Sequence, residues 1–454
     1  MFVRTIEQEL AEWARSSRPK PLILRGARQV GKSTLVREFA RKNGYELLEL
    51  NLERHVRLIP LFATFNMEKI LLELDSIFER KVSSVAKPLL FLDEIQAVPS
   101  AIAALRYFYE DCPQLRVIAA GSLLEFALNK FQYSVPVGRI EYRYLGPISF
   151  EEFLAATGHT FLLDVLNQYR PKAEKDVAIL SDHAHEKLLV LLRKYLYIGG
   201  MPEAVAKLVE TDDPFAAGVV HQSLIDTFES DLAKYSSGTA LERLRAVFQK
   251  LPLHAGKKIK YVNFSTEDRA KEIKQSLDQL AMAQLWYPVC HSDGTGVPLG
   301  ATASYDVRKL LYLDVGLMNR ALDLKWSHVA KLSERDLCNE GVIAEQFVGQ
   351  ELLGRLESYE RPSLFYWLRE GKTGNAEVDF LIGVDLSVVP IEVKSGKSGT
   401  LKSLEYFVKH HGSPLAVRFD LNKPHFQKDP FPLLSLPLYM ARRSSYLIES
   451  LLRR

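Results

Sequence analysis

The stretch that decides the fold of this chain reads Gly26-Ala27-Arg28-Gln29-Val30-Gly31-Lys32-Ser33-Thr34. An apolar run, Pro21–Leu24, precedes it, and a segment with apolar residues at helical spacing follows it. A glycine loop between a strand and a helix predicts a phosphate-binding loop, because glycines let backbone N–H groups approach phosphate oxygens. We expect all nine residues to hold ATP, with Lys32 reaching the β- and γ-phosphates and the Ser33 hydroxyl ligating Mg²⁺. The alternative is a glycine turn that contains a lysine by chance.

A second apolar run, Leu89–Leu92, ends in Asp93 and Glu94 about sixty residues after the loop. A buried parallel strand delivers such acids to its carboxyl end, which is the edge of the sheet where the phosphate loop also lies. We expect Asp93 to hold the hydration shell of Mg²⁺ and Glu94 to orient and deprotonate the attacking water. The alternative is a strand that ends in solvated acids.

Three further positions could complete the nucleotide site. Ser122 ends an apolar run and could sense the γ-phosphate, cap the next helix, or do both. Arg139 directly precedes a predicted fifth strand, 140–145, and could face the γ-phosphate in a neighbouring subunit; it could equally be an ordinary surface arginine. Pro202 follows two glycines where a new helix should start, so this turn could touch the adenine or be a simple helix corner.

Residues 236–330 differ in character from the helical region, 151–235, that precedes them. The segment 241–275 carries nine Lys/Arg against four Asp/Glu, and an amphipathic helix and a predicted β-hairpin follow it. Helices followed by a hairpin favour a winged helix. The local basic excess could contact the phosphates of DNA, or it could be a solvated face that packs on the ATPase domain.

The last third of the chain, 331–454, places acids and a lysine on a predicted hairpin. Asp379 lies near the start of one strand, and Glu392 and Lys394 lie two residues apart on the next strand, where they share a face. Such carboxylates can bind Mg²⁺, and the lysine can help to activate water. Glu345, on an upstream helix, could complete the ligand set. The alternative is a hairpin with a surface salt bridge.

Composition limits the remaining choices. The 454 residues carry 59 Lys/Arg and 56 Asp/Glu, a net charge of +3, so net charge alone gives no argument for nucleic-acid binding. The three cysteines form no C-x-x-C pair, which favours a reducing compartment without structural zinc. The N-terminus lacks the apolar core of a signal peptide, and no apolar run is long enough to span a bilayer. We therefore expect a cytoplasmic location and no membrane contact.

Taken in order, these blocks resemble prokaryotic AAA+-type ATPases that carry a C-terminal domain similar to PD-(D/E)XK nucleases. The turn at Pro202 also resembles the lid of STAND-type ATPases. The resemblance covers essentially the whole chain. It implies an α/β fold with four parts: an ASCE P-loop core of strand order 5-1-4-3-2 over residues 1–150, a helical lid over 151–235, a winged helix over 236–330 and a restriction-endonuclease-like domain over 331–454.

The resemblance also implies roles for the matching residues. Lys32, Ser33, Asp93 and Glu94 match the ATPase positions, and Arg139 matches an arginine finger only by its place in the chain. Asp379, Glu392 and Lys394 match the nuclease signature, and Glu345 matches it loosely. The expected ligands are ATP and Mg²⁺, with DNA or RNA and a second copy of the chain as candidate partners.

Three hypotheses follow from this pattern. The first is an ATPase that acts on nucleic acid through a nuclease-like domain. The second is an ATP-dependent switch in which an inactive nuclease-like fold captures a partner. In the third, the C-terminal part is only a scaffold.

Overall fold

The computed structural model describes residues 2–121, 137–171, 180–324, 326, 341–370, 375–394 and 401–453. In chain order, the helices of these residues are α1 Ile6–Arg15, α2 Lys32–Asn43, α3 Ile59–Phe62, α4 Met67–Ile77, α5 Pro99–Asp111, α6 Phe150–Ala156, α7 Thr160–Gln168, α8 Asp182–Ile198, α9 Pro202–Thr211, α10 Pro214–Asp231, α11 Gly238–Lys250, α12 Ala270–Met282, α13 Val315–Ala321, α14 Gly341–Gly354, α15 Lys402–His411 and α16 Ser444–Leu452. The strands are β1 Leu22–Arg25, β2 Glu46–Asn51, β3 Pro88–Asp93, β4 Arg116–Ala120, β5 Glu141–Tyr144, β6 Trp286–Ser292, β7 Ala303–Tyr312, β8 Leu364–Arg369, β9 Ala376–Val384, β10 Ser387–Val393, β11 Ala416–Asp420, β12 His425–Gln427 and β13 Leu433–Pro437.

The first sheet is parallel throughout and has the order β2-β3-β4-β1-β5. Read from the other edge, this confirms the predicted order 5-1-4-3-2. The strands of a parallel sheet are buried on both faces, which is why their sequences are continuously apolar. In β3, Leu89 and Phe91 pack into one core, whereas Leu90 and Leu92 pack into another on the opposite face. Because all five strands run the same way, the phosphate loop after β1 and the acids at the end of β3 lie at one edge of the sheet.

Local sequence signals set the helices that surround this edge. The Ser149 side chain accepts a hydrogen bond from the backbone N–H of Glu152, and the Glu152 carboxylate accepts one from the backbone N–H of Ser149. This confirms the capping box that the sequence predicts at the start of α6. Pro202 is the first residue of α9, as the sequence also predicts, and a proline at that position costs no hydrogen bond.

The second sheet has eight strands in the order β12-β13-β11-β10-β9-β8-β6-β7. The predicted hairpin after α12 is present as the antiparallel pair β6 and β7. This hairpin is not separate from the C-terminal strands, because β6 pairs in parallel with β8 from Val289 to His291. The predicted boundary at residue 330 therefore lies between strands of one sheet. Division into four domains, with a winged helix and a nuclease-like end, remains a prediction.

One apolar core extends from the first helix to the last. It includes Ile6 of α1, Tyr195 of α8, Leu311 of β7 and Ile448 of α16, all of them buried. Interiors of this kind are closely packed and transmit displacement between the elements that share them. The first sheet and the second sheet are thus joined by packing as well as by the chain.

Candidate functional site

The loop between β1 and α2 adopts a conformation that its glycines make available. Gly31 has a φ of 92° and precedes α2, a left-handed backbone that glycine adopts without steric cost. At Gly26, a β-carbon would overlap the carbonyl oxygen of Leu145, so only glycine allows the two backbones to lie this close. The loop ends on the N-terminus of α2, where N–H groups without helical partners favour an anion.

Lys32 is buried at the start of α2, and its ammonium group lies over the loop. Its Nζ donates hydrogen bonds to the carbonyl oxygens of Gly26 at 2.9 Å and Ala27 at 2.8 Å. Burial lowers the pKa of Lys32 to about 8, although the negative charges of Glu94 and Asp93 act in the opposite direction. Because its hydrogen-bond acceptors are neutral carbonyl groups, Lys32 keeps a positive charge that a phosphate can attract.

Ser33 and Asp93 meet as the magnesium prediction requires. The Ser33 hydroxyl donates a hydrogen bond to Asp93 Oδ2 at 2.9 Å, joining the start of α2 to the end of β3. Burial raises the pKa of Asp93, and the hydrogen bond from Ser33 opposes that shift. A hydroxyl and a carboxylate are oxygen ligands of the kind that Mg²⁺ prefers. The donor set therefore fits this ion.

Glu94 follows β3 with a φ of 52°, an unusual backbone conformation for glutamate. Its Oε2 accepts a hydrogen bond of 2.6 Å from the side-chain amide of Gln96. The oxygen of the same amide, Gln96 Oε1, is buried without a hydrogen-bond partner and lies against Gly121, directly after β4. The sequence analysis missed Gln96; its only signal was a polar residue two positions after the acids. The structure makes it the residue that orients Glu94.

A cavity of about 450 Å³ opens beside the phosphate loop. Its walls include the apolar side chains of Phe2, Ile148 and Pro202, with Gln29 and Thr34 from the loop. Pockets that are mostly apolar with a few polar groups suit a planar base. The structure thus brings Pro202 to the phosphate loop, where the sequence predicts a contact with adenine.

A second residue that the sequence analysis missed is Asp231, at the end of α10. Its carboxylate forms an ion pair with Arg28, which is inside the phosphate loop, and a second pair with Lys234 at 3.2 Å. Only 12% of the Asp231 side chain is exposed, compared with 32% for Arg28. A carboxylate this close to the loop competes with phosphate for the arginine. No local sequence pattern marks Asp231, because it lies about two hundred residues after the loop.

Arg139 lies at the amino ends of the parallel strands of the first sheet, whereas the phosphate loop lies at their carboxyl ends. It precedes β5, whose first residue, Glu141, is level with Leu22 at the start of β1. Its Nε donates to Glu110 at 2.9 Å, and 44% of the side chain is exposed. The structure therefore does not bring Arg139 to the loop of its own chain, and a role in a neighbouring subunit remains a prediction. Ser122 lies outside the described residues.

The Gly199-Gly200 turn packs against a buried aspartate that the sequence analysis did not single out. Asp314 Oδ2 accepts a hydrogen bond of 2.6 Å from the backbone N–H of Gly200, and Oδ1 accepts one of 3.0 Å from Leu317, so that Asp314 also caps α13. Burial raises the pKa of Asp314 to about 6, although these hydrogen bonds oppose the shift. A β-carbon at Gly199 would overlap the Asp314 carboxylate. The glycine is there because the acid occupies that space.

Helix α14 links this turn to the C-terminal part of the chain. Its Gln350 donates to the Tyr195 hydroxyl at 2.9 Å and accepts a hydrogen bond of 2.9 Å from the backbone N–H of Val315. The next residue, Glu351, accepts one of 2.9 Å from the backbone N–H of Phe150 at the start of α6. The same helix carries Glu345, which the sequence predicts as a metal ligand. Helix α14 therefore contacts both the helices around the Gly199-Gly200 turn and the acidic cluster.

The predicted acidic residues do converge on the second sheet. Asp379 in β9 accepts a hydrogen bond of 2.7 Å from the backbone N–H of Val393, beside Glu392 in β10. The Lys394 ammonium pairs with Glu392 Oε1, whereas Glu392 Oε2 is buried without a hydrogen-bond partner. Burial raises the pKa of Glu392, and the negative charge of Asp379 adds to the shift. The juxtaposition of Asp379, Glu392 and Lys394 follows the spacing in the sequence.

Lys309 of β7 occupies the centre of this acidic cluster. Its Nζ lies 2.9 Å from Glu345 Oε1 and 3.9 Å from Asp379 Oδ1, and it also pairs with Glu377. Burial disfavours the ammonium, but the carboxylates of Glu345, Asp379 and Glu377 more than offset it and raise the pKa of Lys309. Among the described residues, no group of three or more His, Cys, Asp or Glu is arranged to hold a metal ion. The cluster does not fit the predicted ion, because an ammonium group already lies among its carboxylates.

The basic segment 241–275 is largely engaged within the chain. Ion pairs join Arg243 to Asp268 at 2.6 Å, Lys258 to Glu370 at 2.8 Å and Lys274 to Asp306 at 2.8 Å. Lys250 and Lys257 donate to backbone carbonyl oxygens. Five of the nine basic side chains thus have partners within the described chain, none of them in the first sheet, and contact of this segment with DNA or with the ATPase domain remains a prediction.

Three family models match parts of the chain. Residues 18–154 match an AAA domain, residues 189–328 match the Domain of unknown function (DUF8612), and residues 340–434 match the Domain of unknown function (DUF4143). The first match identifies residues 18–154 as an AAA domain, in agreement with the geometry of the P-loop. The other two matches assign no activity.

Among solved structures, the chain is similar to a Walker-type ATPase, paby2304, of Pyrococcus abyssi, with 16% identity over 71% of this chain and 96% of that one, and a TM-score of 0.43. The ORC2 protein of Aeropyrum pernix matches with 12% identity over 73% and 96% of the two chains, at a TM-score of 0.35. The RuvB Holliday junction branch migration motor of Thermotoga maritima matches with 12% identity over 63% and 89%, at 0.29. At these TM-scores none of the three defines a function for this chain. No curated protein matches the sequence.

The described part of the chain contains no helix that is both long and apolar enough to cross a bilayer.

Proposed function

We propose that the N-terminal domain binds ATP together with Mg²⁺ and hydrolyses it. The observation that carries the proposal is the convergence of four side chains at one sheet edge, with the Ser33 hydroxyl 2.9 Å from Asp93 Oδ2 and buried Lys32 above the loop. Ser33 and Asp93 would hold the ion, which when bound neutralises phosphate charge. Glu94, oriented by Gln96, takes a proton from the attacking water.

The experiment is an ATP hydrolysis assay combined with a nucleotide-binding titration on the full chain. Lys32→Ala should weaken binding and abolish turnover, whereas Glu94→Gln should bind ATP normally and fail to turn it over. Lys69→Ala is the matched control, because Lys69 is an exposed lysine on α4 whose backbone N–H, and not its side chain, makes the contact with Asn66. Normal turnover by Glu94→Gln would remove Glu94 from the mechanism.

The second part of the proposal is that the nucleotide state is passed to the second sheet through Asp314. Pro202 lines the cavity beside the loop, so a bound base bears on the turn that starts α9. Two residues earlier, Gly200 is fixed to Asp314, which is five residues after Lys309 on the same segment. Gln350, on α14, donates a hydrogen bond to the same aspartate and so connects the turn to this helix. Any displacement of the lid is therefore delivered to β7 and α14 together.

This arrangement favours an ATP-dependent switch over nucleic-acid processing. Three of the nine lysines and arginines expected to contact DNA are engaged in ion pairs, Arg243, Lys258 and Lys274, and an ammonium group lies where nuclease chemistry calls for a divalent cation. Nucleic-acid processing nevertheless has its own support in the convergence of Asp379, Glu392 and Lys394. Stimulation of ATP hydrolysis by DNA, together with Mn²⁺-dependent cleavage that Asp379→Ala abolishes, would reverse this preference.

The switch itself is tested by hydrogen exchange of α14 with and without a non-hydrolysable ATP analogue. Binding of the analogue should change the exchange of residues 341–354 in the wild type and not in Asp314→Asn, although both bind the analogue. Asp323→Asn, on the surface after α13, is the control. Equal responses in the wild type and Asp314→Asn would exclude this route. Size measurement with the same analogue tests whether Arg139 acts in a neighbouring subunit, since a strict monomer leaves it no phosphate to contact.

A further inference from the structure

The acidic cluster of the second sheet already contains a cation, and that cation belongs to the chain. Lys309 is 3% exposed, and its ammonium is surrounded by carboxylates from two elements: Glu345 of α14, at 2.9 Å, and Glu377 and Asp379 of β9. The ring of Tyr366 in β8 completes the enclosure, with its centroid 5.2 Å from Nζ. Carboxylates and an aromatic face are the partners that a buried ammonium requires.

This placement differs from a salt bridge that forms on a surface. Glu345 and Asp379 expose 17% and 18% of their side chains, so water contributes little to the solvation of either group. Removing such acids from water is unfavourable unless positive charge stays close to them. Lys309 supplies that charge through the fold itself, because β7 holds it in register between β6 and the segment at Lys258.

A divalent ion and the Lys309 ammonium cannot share this space. Both would contact the same carboxylate oxygens, and two cations within a few ångströms in a poorly solvated site repel strongly. The other lysine, Lys394, is different: it lies nearer the rim, 28% exposed, and pairs with only one oxygen of Glu392. The second oxygen of Glu392 is buried without a hydrogen-bond partner, so Lys394 satisfies this carboxylate only in part.

We propose that Lys309 is the resident cation of this cluster and that it excludes divalent ions, so the second sheet carries a nuclease-like arrangement in a closed form. Removal of the ammonium frees the carboxylates that now surround it, those of Glu345, Glu377 and Asp379, to rearrange around a divalent cation in its place. This proposal does not depend on ATP hydrolysis.

The test is titration of the full-length, nucleotide-free protein with Mn²⁺, with free Mn²⁺ followed by electron paramagnetic resonance. Every sample carries Ser33→Ala, so that the phosphate loop contributes no metal site. Lys309→Met should gain one Mn²⁺ site about tenfold or more tighter than any site in the parent protein, because an ammonium no longer competes for the same oxygens. Adding Asp379→Asn should remove the new site. Lys309→Arg, which keeps the positive charge, and the surface control Lys258→Met should both behave like the parent.

Two results would overturn the proposal. One is that the parent protein already binds a Mn²⁺ ion, that Asp379→Asn abolishes this binding, and that Lys309→Met does not raise its affinity. Lys309 would then accompany a metal instead of replacing it. The other is the absence of any Mn²⁺ site in every variant that lacks the ammonium. If Lys309→Met alone does not fold, Lys309→Met with Glu377→Gln restores the charge balance, and its melting temperature with and without Mn²⁺ answers the same question. A rise in melting temperature that requires Asp379 supports the proposal, and no rise refutes it.

Discussion

The phosphate loop and the acidic cluster of the second sheet combine the same types of side chain, a lysine and carboxylates, for opposite purposes. Each brings a buried lysine close to carboxylates at strand positions that the fold fixes. In the loop, Lys32 donates to backbone carbonyl oxygens, and Asp93 is held by a serine hydroxyl. In the cluster, Lys309 pairs directly with Glu345 and Glu377. The first lysine keeps its charge for a ligand, whereas the second lysine is neutralised by its own chain.

This difference shows that residue type and proximity do not by themselves define a site. What matters is which group satisfies the charge before a ligand arrives. A lysine with neutral acceptors can exchange them for phosphate at small cost, because the carbonyl groups can turn to water or to backbone N–H groups. A lysine among buried carboxylates cannot leave without exposing uncompensated negative charge.

The largest effect should come from removing the cation of the cluster. Lys309→Met removes the counter-charge of the buried Glu345 and weakens the compensation of Asp379 and Glu377, and breaking a buried pair in this way should lower the free energy of unfolding by about 3–5 kcal/mol. Chemical denaturation monitored by circular dichroism measures this value. A second substitution, Glu377→Gln, should recover part of the loss, because it removes one of the repelling charges. A loss below about 1 kcal/mol would mean that water reaches the cluster and that Lys309 behaves like a surface lysine.

Removal of the lysine from the loop should have the opposite effects: a large loss of ATP hydrolysis and no loss of stability. Lys32→Met should reduce ATP hydrolysis by about a hundredfold or more, because a group that stabilises charge on the transferred phosphate is lost. Its free energy of unfolding should not fall, since a buried ammonium without a carboxylate partner is replaced by an apolar side chain of similar length. Hydrolysis assays and denaturation on the same preparations test both points. Marked destabilisation by Lys32→Met would contradict the contrast between the two lysines.

The first region could be predicted from sequence far better than the second. In the loop, chemistry and conformation are both local: the spacing of Gly26, Gly31 and Lys32 defines the turn, and an apolar strand that ends in acids defines its partner. The order of the first sheet was predicted from the resemblance to a known ATPase family, and not from the strand signals alone. Asp379, Glu392 and Lys394 meet because two strands and a short turn bring them together, which is again a local event.

Lys309, Asp314 and Asp231 could not be found in this way. Each meets its partner through pairing or packing between segments far apart in the chain, such as the parallel pairing of β6 with β8 that joins the hairpin to the second sheet. No local pattern records that register. One signal was present in the sequence. Lys309 directly precedes an apolar run, 310–313, and because residues two apart on a strand share a face, it is expected on the same face as Leu311 and Leu313. A lysine on an inward face needs a carboxylate, and the sequence offers several.

The turn between the two regions should be sensitive to acid. His221 of α10 is buried, and its Nε2 is 2.8 Å from the carbonyl oxygen of Ile198, next to the Gly199 turn. Burial lowers the pKa of His221 to about 4, so the folded chain resists a proton that the unfolded chain accepts near its usual pKa of 6.5. Stability from this group is therefore complete above about pH 6.5 and is lost as the pH falls towards 4.

When the pH is lowered from about 7.5 to about 5, this histidine should reduce the free energy of unfolding by about 2 kcal/mol. Buried acids such as Asp314 shift in the opposite sense, so the wild-type profile alone does not isolate the effect. The difference between the wild type and His221→Gln does, because the other groups cancel. The surface control is His410→Gln on α15, which should leave the profile unchanged. A difference that is independent of pH would show that His221 has the same pKa in the folded and unfolded states, and would contradict the prediction.

The smallest effect should be at the ion pair between Arg28 and Asp231. Arg28 must leave this carboxylate if it is to contact phosphate, and a partly exposed pair is worth about 0.5–1 kcal/mol. Asp231→Asn should therefore raise the affinity for ATP by about twofold to fivefold, as measured by titration with a fluorescent analogue. Asp226→Asn, on the exposed side of the same helix, should have no effect. The direction of the change separates the two uses of charge described for the loop and the cluster. Tighter binding means that Asp231 keeps Arg28 from the phosphate. Weaker binding means that the ion pair holds the loop in its binding conformation, as Glu345 and Glu377 hold Lys309.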